Sequence, residues 1–94
     1  MTIEELKPGT MVYVDRPYKF FAMVMKQATQ GLGDIITVEM FIILANFRLR
    51  KPPVGTYSVA PADKYFPLEY GLHEFSKETR YPKRVLVQAC FGEI

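Results

Sequence analysis

Residues 35 to 60 read IITVEMFIILANFRLRKPPVGTYSVA, a stretch dominated at first by β-branched and aromatic side chains. Good helix formers such as Met40 and Leu44 make a helix a real competitor here. The β-branched and aromatic residues around them lose side-chain freedom in a helix and pack well on a pleated sheet. The composition therefore favours one long strand, which we place at Ile35 to Leu49.

Alternation along this strand predicts which residues share a face. Positions 41, 43, 45, 47 and 49 are all apolar and form one face, whereas Asn46, Arg48 and Arg50 fall on the other. Two prolines follow, and neither has an N–H to donate to a neighbouring strand. We therefore predict that Pro52 and Pro53 end the strand.

The rest of the chain predicts a small β-rich protein. A capping box at Thr2 and Glu5 predicts one helical turn, QGLGD at Gln30 to Asp34 a hairpin loop, and Leu72 to Thr79 a short helix. With the long strand, the patterns give five strands, at Met11 to Val14, Phe20 to Gln27, Ile35 to Leu49, Thr56 to Ala60 and Arg84 to Phe91. The predicted fold is mainly β: a small five-stranded barrel or half-open sheet, OB-like or SH3-like, with one or two short helical turns.

Length and composition limit the class of protein. Ninety-four residues, 49% of them apolar and 23% charged, suit a single folded domain spanning residues 1–94. The apolar run at Met40 to Ala45 is far shorter than the roughly 20 residues of a membrane-spanning helix, and the chain does not open on a signal-peptide pattern. A single cysteine, Cys90, makes a reducing cytoplasm the expected compartment.

The sequence offers little chemistry for catalysis. His73 is the only histidine and Cys90 the only cysteine, so neither a two-histidine metal spacing nor a cysteine zinc site is possible. Cys90 falls in an apolar segment, where a thiol usually acts as a small hydrophobic side chain. We expect a protein that is not an enzyme, with no cofactor and no metal.

Basic residues alternate with aromatic residues in three segments, RPYKFF, NFRLRK and RYPKR. Cations that contact phosphates and rings that stack on unpaired bases are what single-stranded nucleic acid requires. Arginines on an edge strand also simply prevent sheet-to-sheet aggregation, so this simpler explanation stays open. The candidate nucleic-acid-binding residues are Tyr18, Lys19, Arg48, Arg50, Tyr81 and Arg84.

The C-terminal half contains KPPVGTYSVAP followed by a loop and RVLVQA. This half resembles the single-stranded DNA-binding proteins of filamentous phages, in which a similar turn and strand precede the last strand of an OB-type barrel that works as a dimer. The resemblance implies single-stranded DNA as ligand and a homodimer as assembly. KPGTMVYVD, in the N-terminal half, is instead similar to the first strand of SH3-like barrels.

The aromatic segment from Lys64 to Phe75, KYFPLEYGLHEF, supports an alternative function. Exposed tyrosine and phenylalanine often anchor protein interfaces. In this alternative the chain is a protein-interaction module, a small subunit or an inhibitor of a larger complex, with no membrane contact. Its contact residues are Tyr65, Phe66, Tyr70 and Phe75.

Overall fold

The computed structural model describes residues 1–15, 19–45, 48–80 and 82–84, and for 48–52 it describes the backbone alone. The described chain forms six strands and one α-helix. The strands are β1 (Met11–Asp15), β2 (Lys19–Val24), β3 (Thr29–Gln30), β4 (Ile35–Ala45), β5 (Arg48–Pro61) and β6 (Tyr65–Pro67). A 3-10 helix at Ala62–Lys64 connects β5 to β6, and helix α1 (Leu68–Thr79) follows β6 directly.

The strands form one antiparallel sheet with five positions across it. β4 pairs with β5 on one side, and on the other side with β2 and β3. β2 and β3 therefore act as one strand that residues 25–28 interrupt. β1 lies between β2 and β6, so the order across the sheet is β5, β4, β2 with β3, β1 and β6. The prediction of a mainly β, five-stranded half-open sheet is confirmed.

The sheet curls so that its two outermost strands come close together. Only the three residues of the 3-10 helix separate β5 from β6. Across the inside of the curl, the Ser58 hydroxyl lies 2.9 Å from the Tyr65 hydroxyl, which donates to the Ile36 carbonyl at 3.0 Å. The inner face is filled by apolar side chains from every strand except β3, among them Val14, Ala22, Val38, Met40 and Ala60.

Helix α1 packs on the outer face of the sheet. Its Leu72 and Phe75 form a second buried cluster with Tyr13, Phe21 and Leu44. The helix begins earlier than the predicted Leu72, because Pro67 lies before its first turn, where proline suits a helix start. Arg80, with φ at 64°, ends the helix in the left-handed conformation.

A β-bulge at Ile43 breaks the predicted alternation in β4. Phe21 pairs with Leu44 and Ala22 with Ile42, which leaves Ile43 without an opposite residue on β2. An extra residue of this kind moves the following side chains to the other face. Leu44 accordingly joins the outer cluster and Ala45 the inner one.

The predicted end of the long strand is wrong. The chain has already reversed by Arg48, which pairs with Ala45, and β5 runs on through Pro52 and Pro53. Between the pairs Leu44 with Leu49 and Ile42 with Val54, residues 50–53 are left out of the regular ladder. Both prolines lie in this irregular part, where no ladder N–H is needed.

Three local predictions are confirmed and one falls outside the structure. The Thr2 N–H donates to the Glu5 carboxylate at 2.8 Å, and this bond lowers the Glu5 pKa. The loop from residue 31 to 34 joins β3 to β4 with Gly33 at a φ of 61°, and β1 lies where we expected it. Apart from Arg84, the predicted strand from Arg84 to Phe91 lies outside the described residues.

Candidate binding surface on the outer face

Helix α1 covers only one part of the outer face. The row Tyr13, Phe21 and Leu44 lies beneath the helix. Farther along the strands, the outer face continues without cover from any described residue. We call this part the open face; it consists of Met23, Met25, Phe41, Gly55, Tyr57 and Val59.

Tyr57 and Val59 are the most exposed side chains of the open face. They are 69% and 62% exposed, whereas their neighbours Ser58 and Ala60 are buried on the inner face. Register places Tyr57 beside Glu39 and Val59 beside Thr37 on β4. Large apolar side chains that remain exposed together on a small protein often mark a contact surface.

Gly55 lines a depression beside Tyr57. A side chain at residue 55 would stand 3.9 Å from both the Met25 methyl group and the Phe41 ring. That space is part of a depression of about 220 Å³ lined by Met25, Glu39, Gly55, Thr56 and Tyr57. The floor of the depression is apolar, and the Glu39 carboxylate lies at its margin.

The charge at this margin is balanced. The Lys26 ammonium lies 3.5 Å from the Glu39 carboxylate, with Lys26 much the more exposed of the two. Such an exposed pair contributes little to stability. It leaves both an anion and a cation beside Tyr57.

Register brings three of the predicted cationic residues to one end of the sheet. Ala45 of β4 is opposite Phe20 on one side and Arg48 on the other. Lys19 precedes Phe20, so Lys19 and Arg48 lie on strands two positions apart, with Arg50 a little farther along β5. Neighbouring strands are about 4.8 Å apart, which puts the backbones of Lys19 and Arg48 roughly 10 Å from each other.

Arg84 is not brought to the same place. The Lys19 ammonium contacts Glu78 at 3.3 Å, near the end of α1. Lys83, the neighbour of Arg84, contacts Glu69 at 3.6 Å, in the first turn of the helix. Nine residues separate these glutamates, roughly 14 Å along a helix. Arg84 itself is exposed, and the candidates Tyr18 and Tyr81 lie outside the described residues.

Two residues of the alternative protein-contact surface belong to the core. Tyr65 is fully buried, and burial raises the pKa of its phenol. Phe75 is buried as well and meets Phe21 edge-on, with ring centroids 5.5 Å apart. Neither side chain is available to a partner, because each fills the space between the sheet and its neighbouring elements.

The remaining two residues of that surface form a stacked pair. Phe66 and Tyr70 have centroids 4.4 Å apart and planes 18° from parallel. Tyr70 is 45% exposed and Phe66 is half-buried. The alternative contact surface is thus reduced to this pair.

Sequence reasoning missed Tyr57 as a candidate. The predicted strand from Thr56 to Ala60 is part of β5, and Tyr57 and Val59 lie on the same side of it. The signal lay in the alternation of large residues at 57 and 59 with small ones at 58 and 60. Which of these sets faces the core depends on register, and sequence alone does not give the register.

No cluster of three or more histidine, cysteine, aspartate or glutamate side chains in the described part of the chain could hold a metal ion. Within the same residues, no helix is long and apolar enough to span a membrane. Compared with protein-family models, curated proteins and solved structures, the chain matches none.

Proposed function

We propose that this protein is a non-enzymatic binding protein for single-stranded nucleic acid, with β5 as its main contact strand. The observation that carries the proposal is that β5 begins with cationic residues and later carries the exposed ring of Tyr57. The compartment that we propose is the cytoplasm.

The dimensions of β5 suit such a ligand. Leu49, between Arg48 and Arg50, is opposite Leu44, and Tyr57 is opposite Glu39. Leu44 and Glu39 are five residues apart on β4, roughly 17 Å in an extended strand. A short single strand that follows β5 would meet cations near one end and an exposed ring near the other. Cations hold the phosphates, and a flat ring stacks on any base without sequence preference.

The test is fluorescence anisotropy of a labelled oligonucleotide, single- or double-stranded, across a range of salt concentrations. We expect preference for the single strand and a steep loss of affinity as salt rises. Tyr57→Ala is expected to remove one stacking platform, about 1–3 kcal/mol, or roughly 5- to 150-fold in Kd. Arg48→Glu with Arg50→Glu is expected to abolish binding in a protein that still folds.

Tyr70→Ala is the matched control, because it removes an exposed tyrosine of the same kind from the helix. Oligonucleotide affinity should not change in this variant. An equal loss of affinity in the Tyr57→Ala and Tyr70→Ala proteins, or no binding at low salt, would contradict the proposal.

The stacked pair Phe66 and Tyr70 supports the second candidate, a protein-interaction module. In that case Tyr70→Ala reduces the recovery of a protein partner in a pull-down, and Tyr57→Ala does not. The two variants therefore separate the two functions, because each candidate depends on a different tyrosine.

A further inference from the structure

The free edge of β5 has a defined hydrogen-bonding pattern. Among the described residues, β5 pairs with β4 alone. The Ala62 N–H donates to the Asp34 carbonyl at 2.9 Å, so these two residues form a hydrogen-bonded pair. In the observed register, every second residue before Ala62 on β5 forms a pair of the same kind with β4, namely Ala60, Ser58 and Thr56. Hydrogen-bonded and non-hydrogen-bonded pairs alternate in an antiparallel ladder. The N–H and C=O groups of Gly55, Tyr57 and Val59 therefore point away from β4.

Two prolines delimit this edge symmetrically. Pro53 and Pro61 each lie four residues from Tyr57. Pro61 is opposite Ile35 in the ladder, and Pro53 directly precedes Val54, the residue at which the regular ladder ends. Proline has no N–H, and sheets accept it where the nitrogen would face solvent. The outward-pointing donors of the ladder thus end at a proline on both sides.

The same segment lacks the usual protection of an exposed edge. From Pro52 to Ala62 no residue is charged, although natural edge strands commonly carry lysine or another charge against pairing with a further strand. Its outer side chains, Tyr57 and Val59, are apolar and exposed. These are the properties of a strand that accepts another strand.

We propose that the strand it accepts is β5 of a second copy of this chain, antiparallel, with the two-fold axis at Tyr57. Tyr57 then lies opposite the partner's Tyr57, and Gly55 opposite the partner's Val59. Each of these opposite pairs exchanges two backbone hydrogen bonds. Pro53 lies opposite the partner's Pro61, where neither residue has an N–H to leave unpaired.

The side chains on the open face are complementary in this register. Val59, which is exposed in the single chain, comes opposite the glycine that lines the depression beside Met25 and Phe41. A second copy is favoured over an unrelated peptide, because the spacing of the prolines and the pairing of glycine with valine are both symmetric about residue 57. An interface with these properties is isologous, as two-fold dimers require.

The dimer interface is a separate property from nucleic-acid binding, and no observation that supports it depends on the proposed function. It joins the two open faces into one surface with a pair of tyrosines at its centre. The tests below are made without nucleic acid, so that a failure of the dimer and a failure of oligonucleotide binding are separate results.

Disulfide trapping tests the register directly. In a Cys90→Ala background, Tyr57→Cys places two thiols on opposite residues whose Cα atoms are about 5.5 Å apart, within disulfide range. Val59→Cys is the control, because its two copies are roughly 13 Å apart along the strands. Oxidation should convert most of the Tyr57→Cys protein to a covalent dimer on non-reducing gels and leave the Val59→Cys protein monomeric. Equal cross-linking of both variants would overturn the proposed register.

A charge swap tests the same axis without cysteine. Tyr57→Lys and Tyr57→Glu each put like charges opposite each other, which destabilises a strand pair. By sedimentation velocity we expect the unsubstituted protein to dimerise, each variant to lose dimer at equal concentration, and the equimolar mixture to recover it. An unsubstituted protein that stays monomeric, or variants that dimerise as well as it does, would overturn the proposal.

Discussion

The outer face of the sheet has two parts with similar residues and different surroundings. Tyr13, Phe21 and Leu44 are buried under α1, whereas Tyr57 and Val59 of the open face are mostly exposed. Both parts carry aromatic and aliphatic side chains, so hydrophobicity alone does not determine which part is buried. The length of the helix determines which part is buried, because its twelve residues extend about 18 Å and cover only one end of the curled sheet.

Close approach of the helix is what distinguishes the covered part. Gly71 of α1 lies so near β1 that a side chain there would come within 2.5 Å of the Tyr13 Cγ atom and 2.9 Å of the Phe21 ring. Gly55 of the open face has only ordinary contacts at 3.9 Å around the same position. The same residue type thus permits tight packing in one part and lines a depression in the other.

Removing an aromatic ring from each part should give the largest difference. Phe21→Ala leaves a cavity between the sheet and α1 and is expected to cost about 3–5 kcal/mol of unfolding free energy. Tyr57→Ala removes a ring that is exposed in the single chain and should change the stability of the monomer by no more than about 0.5 kcal/mol. Urea unfolding followed by circular dichroism measures both, at a protein concentration low enough to keep the chain monomeric. Comparable losses would mean that the open face is covered in the folded protein.

Adding a methyl group at each glycine tests the helix contact. We expect Gly71→Ala to cost about 1–3 kcal/mol through overpacking, a loss that exceeds the roughly 1 kcal/mol by which alanine favours a helix over glycine. Gly55→Ala should be nearly neutral, since its φ is not positive and the space is open. Thermal melts of the two variants compare them directly. A stabilised Gly71→Ala protein would show that α1 does not pack closely on β1.

Removing the hydroxyl group should change stability in opposite directions at the two buried tyrosines, Tyr13 and Tyr65. Among the described residues the Tyr13 hydroxyl has no hydrogen-bond partner, so Tyr13→Phe should raise stability by up to about 1 kcal/mol. Tyr65→Phe breaks the bonds to Ser58 and the Ile36 carbonyl and should lower it by about 1–2 kcal/mol. Chemical unfolding measures both changes. The same sign for the two variants would contradict this difference between the covered part and the inner core.

Of these changes, a shift to alkaline pH should produce the smallest change in the free energy of unfolding. Burial, reinforced by the Asp15 carboxylate, raises the pKa of Tyr13, and burial also raises that of Tyr65. A raised folded-state pKa means that stability is complete below the unfolded value of about 10 and falls as pH rises above it. Between pH 10 and 11, Tyr13→Phe should lessen that fall by roughly 1 kcal/mol. An unchanged pH profile in urea titrations would mean that the Tyr13 phenol ionises as easily in the folded protein as in the unfolded chain.

Local patterns in the sequence predicted the local structure well. The Thr2 and Glu5 turn, the glycine loop before Ile35 and the first strand each depend on neighbouring residues, and the structure has all three. The prolines at 52 and 53 misled the prediction, because a proline excludes a ladder hydrogen bond and does not exclude an irregular segment within a strand. The bulge at Ile43 could not be foreseen, since the same residues alternate equally well without it.

The candidate site was predicted only in part. The alternation of basic with aromatic residues predicts the cations at 19, 48 and 50, and the strand register brings their backbones near one another. Tyr65 and Phe75 look like contact residues in the sequence, yet they are buried, because an aromatic residue is recognised by its chemistry and its exposure depends on what packs against it.

The preference for strands, the turns and the segments where cations alternate with rings follow from side-chain chemistry within a few residues, and so they can be predicted from the sequence. The sequence does not predict which part of the outer face is covered, which tyrosines are exposed or which backbone groups of β5 point outward. Exposure and register depend on contacts between residues far apart in the chain, such as Gly71 with Tyr13 and Tyr65 with Ile36.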